Sequence, residues 1–292
     1  MTTVLAPDLR RPGAGSPPPE PGAGVAVTRG LLGGVAFAAG VVGVAMLLWP
    51  GSTGRYFSWR LSPAPVASFV GAFYVASAIV FGWAATLRSW TAQRGLCASV
   101  LGLAAPTLVV TGVHDEVFDF GRWQALAWVF LFTASVTSFT MLVLVRGEPA
   151  RNRADGPDIP AAARATLAVM AVGYGTVAVV LWLAPAAISD HGPVAAGPMG
   201  LRFLGSWAAF LGLCARFAAV HGSRESARLP VAALVAFPIA GLVATAAHAD
   251  DLRTGPAAGL AGGLATLAVA GLSVQWASRR VMVPTTRGGA VR

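Results

Sequence analysis

The sequence predicts an all-α, polytopic membrane bundle of about eight transmembrane helices, arranged as two parallel four-helix repeats. Three observations carry this prediction. The composition is that of a membrane protein, eight apolar segments have the length of a bilayer span, and the chain resembles itself at an offset of 134 residues.

Composition sets the broad class of the protein. Hydrophobic residues make up 55% of the 292 residues, charged residues make up only 11%, and the mean hydropathy is +0.67. Soluble domains carry far more charge on their surfaces. The net charge of +9 is spread over short loops and tails instead of one basic face, so we expect the lipid bilayer as partner and no nucleic acid.

Eight segments are apolar over about 20 residues, which is the length of a membrane-spanning helix. Tryptophans stand at or near several of their ends, where the amphipathic indole favours the lipid headgroup region: Trp49, Trp90, Trp123, Trp182 and Trp276. The predicted spans cover residues 30–49, 65–87, 95–114, 123–145, 164–184, 200–220, 229–248 and 256–277.

Five regions follow from these spans. Residues 1–29 are rich in Pro and Gly, and we expect them to be a disordered cytoplasmic tail. Residues 30–146 and 164–278 are the two four-helix membrane repeats, residues 147–163 are a proline-containing cytoplasmic linker, and residues 279–292 are a second cytoplasmic tail.

The basic residues, all of them arginine, predict the orientation in the membrane. Sixteen of the 21 fall on the side of the N-terminus. Because cytoplasmic loops carry an excess of positive charge, we expect a multi-pass protein of the cell membrane with both termini in the cytoplasm. The five arginines on the opposite side are Arg55, Arg60, Arg122, Arg202 and Arg253.

The internal repeat is visible when the chain is aligned with itself. At an offset of 134 the coincidences include Phe69 with Phe203, Gly71 with Gly205, Arg94 with Arg228, Thr111 with Thr245, and His114 with His248. Each half contains an even number of spans, so both halves enter the membrane in the same direction, as repeats related by an axis along the membrane normal.

A polar cluster ends the third span of each half and is the candidate site. It comprises His114, Asp115 and Glu116 in the first half and His248, Asp250 and Asp251 in the second. Imidazoles beside carboxylates can bind a divalent cation, relay protons or orient a polar solute. The alternative is that each histidine hydrogen-bonds to the end of its helix or to a lipid headgroup, while the acids form a solvated loop.

The same two spans each contain a proline in their middle portion. Pro106 and Pro238 are therefore candidate helix breaks, because proline removes a backbone donor and disturbs the preceding turn. A break of this kind can expose backbone groups to a substrate. Proline is also tolerated in membrane helices when neighbouring groups satisfy the freed carbonyl.

Nothing in the sequence predicts an enzyme. It contains no phosphate-binding loop with a Gly-x-x-x-x-Gly-Lys pattern, no Gly-x-Ser-x-Gly nucleophile elbow and no His-Glu-x-x-His metal motif. We therefore assign no catalytic, cofactor-binding or metal-ligating residue and predict no cofactor. Haem held by two histidines, or a divalent metal, stays a minor alternative, because membrane cytochromes place such ligands within helices.

Three functional hypotheses remain. In the first, the protein binds or passes a small solute or ion of unknown identity between its pseudo-symmetric halves. In the second, it is a redox or metal-binding membrane protein that uses His114 and His248. In the third, it has a structural or assembly role without a small ligand. Small residues four apart, such as Gly259 and Gly263, suit close helix packing within the bundle or in a homo-oligomer.

Overall fold

The computed structural model describes residues 23–147, 158–193 and 195–280, and it is an all-α bundle. Eight of its helices are long and apolar enough to cross a membrane, which confirms the predicted polytopic fold class. These helices are α1 (Ala23–Leu48), α3 (Ala64–Thr86), α4 (Trp90–Val113), α5 (Trp123–Arg146), α6 (Ala161–Leu183), α8 (Pro198–His221), α9 (Arg224–Ala247) and α10 (Thr254–Arg280).

Two short α-helices lie between spanning helices. α2 (Thr53–Tyr56) follows the first spanning helix of its half, and α7 (Pro185–His191) follows the first spanning helix of the other half. Both lie on the face that the arginine distribution predicts to be extracytoplasmic.

Helix ends differ from the predicted limits where the sequence supplies a local cap. α4 begins at Trp90 and α9 at Arg224, each five residues before the predicted limit, because the side chains of Ser89 and Ser223 accept hydrogen bonds from first-turn amides. α1 begins at Ala23, so residues 23–29 of the predicted tail are helical. The remainder of that tail, most of the linker (148–157) and residues 281–292 of the second tail lie outside the described residues.

Within each half, the first two spanning helices pack closely together. α1 contacts α3, and α6 contacts α8 in the same way. Glycine allows this approach, since a Cβ atom on Gly43 of α1 would lie 2.8 Å from the carbonyl oxygen of Gly71 on α3. Gly205 of α8 lies similarly close to Trp182 of α6.

Contacts across the two halves come in equivalent pairs. α4 packs on α8, α3 packs on α9, and α4 also meets α9. The guanidinium of Arg94 lies 5.6 Å from the ring centre of Phe217, and that of Arg228 lies 4.9 Å from the ring of Trp83. Arg228 lies 134 positions after Arg94, and Trp83 lies 134 positions before Phe217, so the two pairs occupy equivalent positions. The parallel repeat stays a prediction, and these paired contacts support it.

Aromatic side chains fill the space between the halves. Trp207 on α8 is 1% exposed and packs against Phe73 of α3, Phe237 of α9 and two further rings of α8. Large apolar side chains on the outer helices are exposed instead, such as Phe130 at 74% and Val145 at 81%. The bundle therefore has a packed aromatic centre and an apolar exterior suited to lipid.

Candidate functional site

The predicted polar clusters lie at equivalent helix ends. His114 is the C-cap of α4 and is followed by a 3-10 turn, Asp115–Val117. His248 is the C-cap of α9 and is followed by a similar turn, Ala249–Asp251. In both places the helix stops because the cap residue leaves helical backbone geometry, with a φ of −124° at each histidine.

His114 joins the end of α4 to the beginning of α8. Its Nε2 atom lies 2.7 Å from Nη1 of Arg202, and its Nδ1 atom lies 3.4 Å from a carboxylate oxygen of Glu116. Because arginine can only donate, Nε2 is the acceptor in this contact. The pKa of Glu116 lies below its usual value, first because of a backbone hydrogen bond and then because of His114.

His248 joins the end of α9 to α3. Its Nε2 atom lies 2.8 Å from the hydroxyl oxygen of Ser68, and its Nδ1 atom lies 3.0 Å from a carboxylate oxygen of Asp251. A hydroxyl can donate or accept, so this contact is compatible with either charge state of the imidazole. Each histidine therefore contacts one acid of the adjoining turn and one residue of the opposite half, but that second partner is an arginine for His114 and a serine for His248.

Arg202 and Ser68 are the site residues that sequence reasoning missed. They are separated by 134 positions, as are His114 and His248, so each histidine contacts the same position of the opposite half. Serine and arginine do not match in type, and the alignment therefore gave no reason to pair them. The topology alone indicated this pairing, because the end of one span and the beginning of another lie on the same face of the membrane.

The acidic residues of the two clusters are not gathered into one ligand set. Asp115 and Asp250 are exposed, as are Glu116 and Asp251. Within the described ranges, no group of three or more His, Cys, Asp or Glu side chains is placed to hold a metal ion. Both ring nitrogens of each histidine also have polar partners, so neither imidazole presents a spare nitrogen to a metal or haem iron.

The two candidate helix breaks lie inside continuous helices. α4 runs through Pro106 from Trp90 to Val113, and α9 runs through Pro238 from Arg224 to Ala247. Pro238 has no amide hydrogen, so the carbonyl of Leu234 lacks its usual helical donor. Gly271 of α10 packs against this carbonyl, and a Cβ atom on Gly271 would lie 3.1 Å from the Leu234 oxygen. Neither proline adds an unwound backbone segment to a site.

Two cavities, unforeseen from the sequence, occupy corresponding places in the two halves. The first, of about 190 Å³, lies among α1, α3, α4 and α5. The second, of about 660 Å³, lies among α6, α8, α9 and α10 and is closed on one side by α3. Ligand cavities in proteins typically have volumes of roughly 300–1,000 Å³, so only the second has the size of a ligand site.

The difference in volume has a local cause in the fourth spanning helix of each half. α5 presents Trp123, Trp128 and Phe132 to the first cavity. At the corresponding wall of the second cavity, α10 presents Gly259 and Gly263. Small residues on α10 thus leave open the space that aromatic rings take up beside α5.

The second cavity opens toward lipid. Among its lining residues, Gly173 and Val177 of α6 and Gly263 and Thr266 of α10 are exposed in the bundle. These positions fall within spanning helices, so their exposed surfaces face the hydrocarbon region. His248 and Thr245 line the same cavity at the end of α9. Comparison of the chain with family models, curated proteins and solved structures gives no match.

Proposed function

We propose that this integral membrane protein binds a small apolar molecule from the bilayer in the second cavity, between α6 and α10. The observation that carries this proposal is the volume of about 660 Å³ with an almost wholly apolar lining. An apolar pocket of this size with a few polar groups at one end is the usual form of a small-molecule site.

The opening of the second cavity lies within the membrane-spanning segments, which favours a ligand that is already dissolved in lipid. An apolar wall gives no compensation for the hydration that an ion or a sugar loses on entry. The exposed residues on α6 and α10 border the cavity within the membrane-spanning segments. A hydrophobic molecule reaches it from the bilayer without crossing water.

Passage of an ion between the two halves is less well supported than binding. The space there contains packed rings, including Phe203, Trp207 and Phe237. Buried side chains at this interface are mainly aromatic and aliphatic, which leaves a charged solute without compensating groups. The small-ligand hypothesis therefore moves from the space between the halves to the cavity of the second half.

A structural role without a ligand is the second candidate. The observation that favours it is that His114 and His248 connect the two halves through their Nε2 atoms, while each Nδ1 atom contacts an acid of the adjoining turn. In this case the cavity holds ordinary bilayer lipid without preference. A binding measurement separates the two candidates.

The test is a titration of the purified protein in mild detergent with a fluorescent apolar probe. Gly263→Trp places an indole at the cavity wall, and Gly262→Trp is the matched control, since Gly262 is exposed, adjacent and not part of the lining. Neither glycine has a neighbour within 4 Å of an added Cβ, so both variants are expected to fold.

We expect Gly263→Trp to weaken probe binding at least about ten-fold, equivalent to about 1.4 kcal/mol, while Gly262→Trp binds like the wild type. Equal binding by all three proteins places the probe outside the cavity. Absence of saturable binding by the wild type favours the structural role.

A further inference from the structure

We infer that the ligand of the second cavity is a neutral amphiphile, whose uncharged hydrogen-bonding group lies beside Thr245 and His248 and whose apolar chain extends toward the bilayer centre. This inference rests on the proposed function and adds the chemical class of the ligand. A long-chain alcohol has this chemistry, because its hydroxyl can donate to the Thr245 oxygen.

The polarity of the lining defines the orientation of the ligand. Thr245 and His248 lie at the end of α9, where the helix reaches the membrane surface. The Thr245 hydroxyl donates to the carbonyl of Gly241 at 2.8 Å, and its oxygen can still accept a hydrogen bond. Deeper in the cavity, Thr266 also donates to a carbonyl of its own helix, that of Gly262.

Tyr174 does not supply a second polar end. It lines the cavity, but its hydroxyl oxygen is buried away from the accessible space and has no hydrogen-bond partner among the described residues. The interior therefore presents an essentially apolar surface to a bound molecule. One polar end and one apolar body are the features of an amphiphile.

The charges around the polar end select against an anion. Asp250 and Asp251 stand in the turn after His248, and Asp251 already accepts from the imidazole. Asp190 of α7 lies between the lining residues Ile188 and Pro193. A carboxylate or phosphate headgroup at this end meets these three acids against a single arginine, Arg253, and loses hydration beside an apolar wall.

Arg253 is the arginine next to this end, and its guanidinium is held against the backbone that follows α7. Its Nη1 atom donates to the carbonyl of Asp190 at 2.6 Å and lies 3.4 Å from that of Gly192. It therefore ties the C-terminal end of α7 to the start of α10. A cationic headgroup is disfavoured for another reason, because its charge must leave water beside an apolar wall.

The decisive experiment compares headgroups on one chain. A straight-chain alcohol, the carboxylate of equal length and the trimethylammonium compound of equal length compete with the fluorescent apolar probe for the purified protein at neutral pH. We expect the alcohol to displace the probe at a concentration at least about ten-fold lower than either charged analogue, about 1.4 kcal/mol in affinity. Equal or tighter binding of the carboxylate or the ammonium compound overturns the inference.

A pair of threonine variants tests the position of the headgroup. Thr245→Val removes a cavity-lining hydroxyl while nearly keeping the shape of the side chain, and we expect it to weaken alcohol binding about five-fold, the effect of one hydrogen bond of about 1 kcal/mol, with binding of the equal-length alkane unchanged. Thr111→Val is the control, because Thr111 has the corresponding place but does not line this cavity. Equal effects of the two variants contradict the proposed position.

Failure of this inference is distinguishable from failure of the proposed function. If Gly263→Trp abolishes binding while headgroup makes no difference, the cavity binds apolar molecules and only the ligand class is wrong. If the wild type binds neither the probe nor any of the three compounds, the proposed function fails and the ligand class fails with it.

Discussion

The imidazole of His114 accepts a hydrogen bond from the guanidinium of Arg202 across 2.7 Å, and this contact ties the end of α4 to the start of α8. Its counterpart in the other half, His248 with Ser68, has a length of 2.8 Å. The two contacts hold the halves together on the same face. They differ in one respect, because arginine cannot accept a hydrogen bond and serine can.

Removing the acceptor should break the first contact and spare the second. His114→Leu keeps a side chain of similar size and leaves the Arg202 guanidinium without this partner. We expect a loss of about 2 kcal/mol in the free energy of unfolding, measured by denaturation in detergent. The contact between His248 and Ser68 is intact in this variant.

The variant His114→Gln is the control for this loss. Its amide oxygen can accept from Arg202, so its free energy of unfolding should lie closer to that of the wild type. Equal losses in His114→Leu and His114→Gln contradict the assigned hydrogen-bond direction.

The aromatic centre should dominate the stability of the bundle. Replacing Trp207, which is 1% exposed among several rings, with alanine leaves a cavity and removes packing contacts. We expect a loss of about 3–5 kcal/mol in the free energy of unfolding, measured by denaturation in detergent. Trp123→Ala, at a side chain that is 72% exposed, should change stability little, and equal effects at both positions show that the centre is not the main source of stability.

The two halves should stay associated after the linker between them is cut. A protease site inserted within residues 148–157 allows this connection to be cut after folding. Because α4 packs on α8 and α3 packs on α9, we expect the two fragments to copurify in mild detergent. Removing both cation–π pairs, with Arg94→Ala and Arg228→Ala, should weaken the association, and separation of the wild-type fragments after cleavage argues against halves that bind each other.

The arginine distribution predicts which face is outside, and labelling can test it. Asp119→Cys lies in the loop after α4, and Arg88→Cys lies in the loop before it. The native Cys97 and Cys214 are buried, so they give a low background. A membrane-impermeant maleimide should label Asp119→Cys in intact cells and Arg88→Cys only after permeabilisation; the opposite pattern reverses the topology.

The fold was predictable because apolar segments of span length recur along the chain. The site was not, because its side chains are far apart in the sequence and no local sequence pattern pairs them. Apolar segments of span length predicted the eight helices of the described residues that are long and apolar enough to cross a membrane, and the two Thr-x-x-His segments predicted two equivalent polar ends. Arg202 and Ser68 could not be identified as partners, because only tertiary packing brings them to the histidines. The second cavity was hidden for a similar reason: glycine on α10 indicates close packing as readily as open space, and only the neighbouring helices decide between them.

Native mass spectrometry of the protein purified from its own membranes tests the binding proposal most directly. The wild type and Gly262→Trp should each retain an added mass, corresponding to one neutral lipophilic molecule, after detergent is removed in the gas phase. Gly263→Trp should appear at the mass of the bare chain. Retention of the same molecule by Gly263→Trp, or a bare wild type under conditions that preserve weak lipid adducts, would contradict the assignment of the cavity as a ligand site.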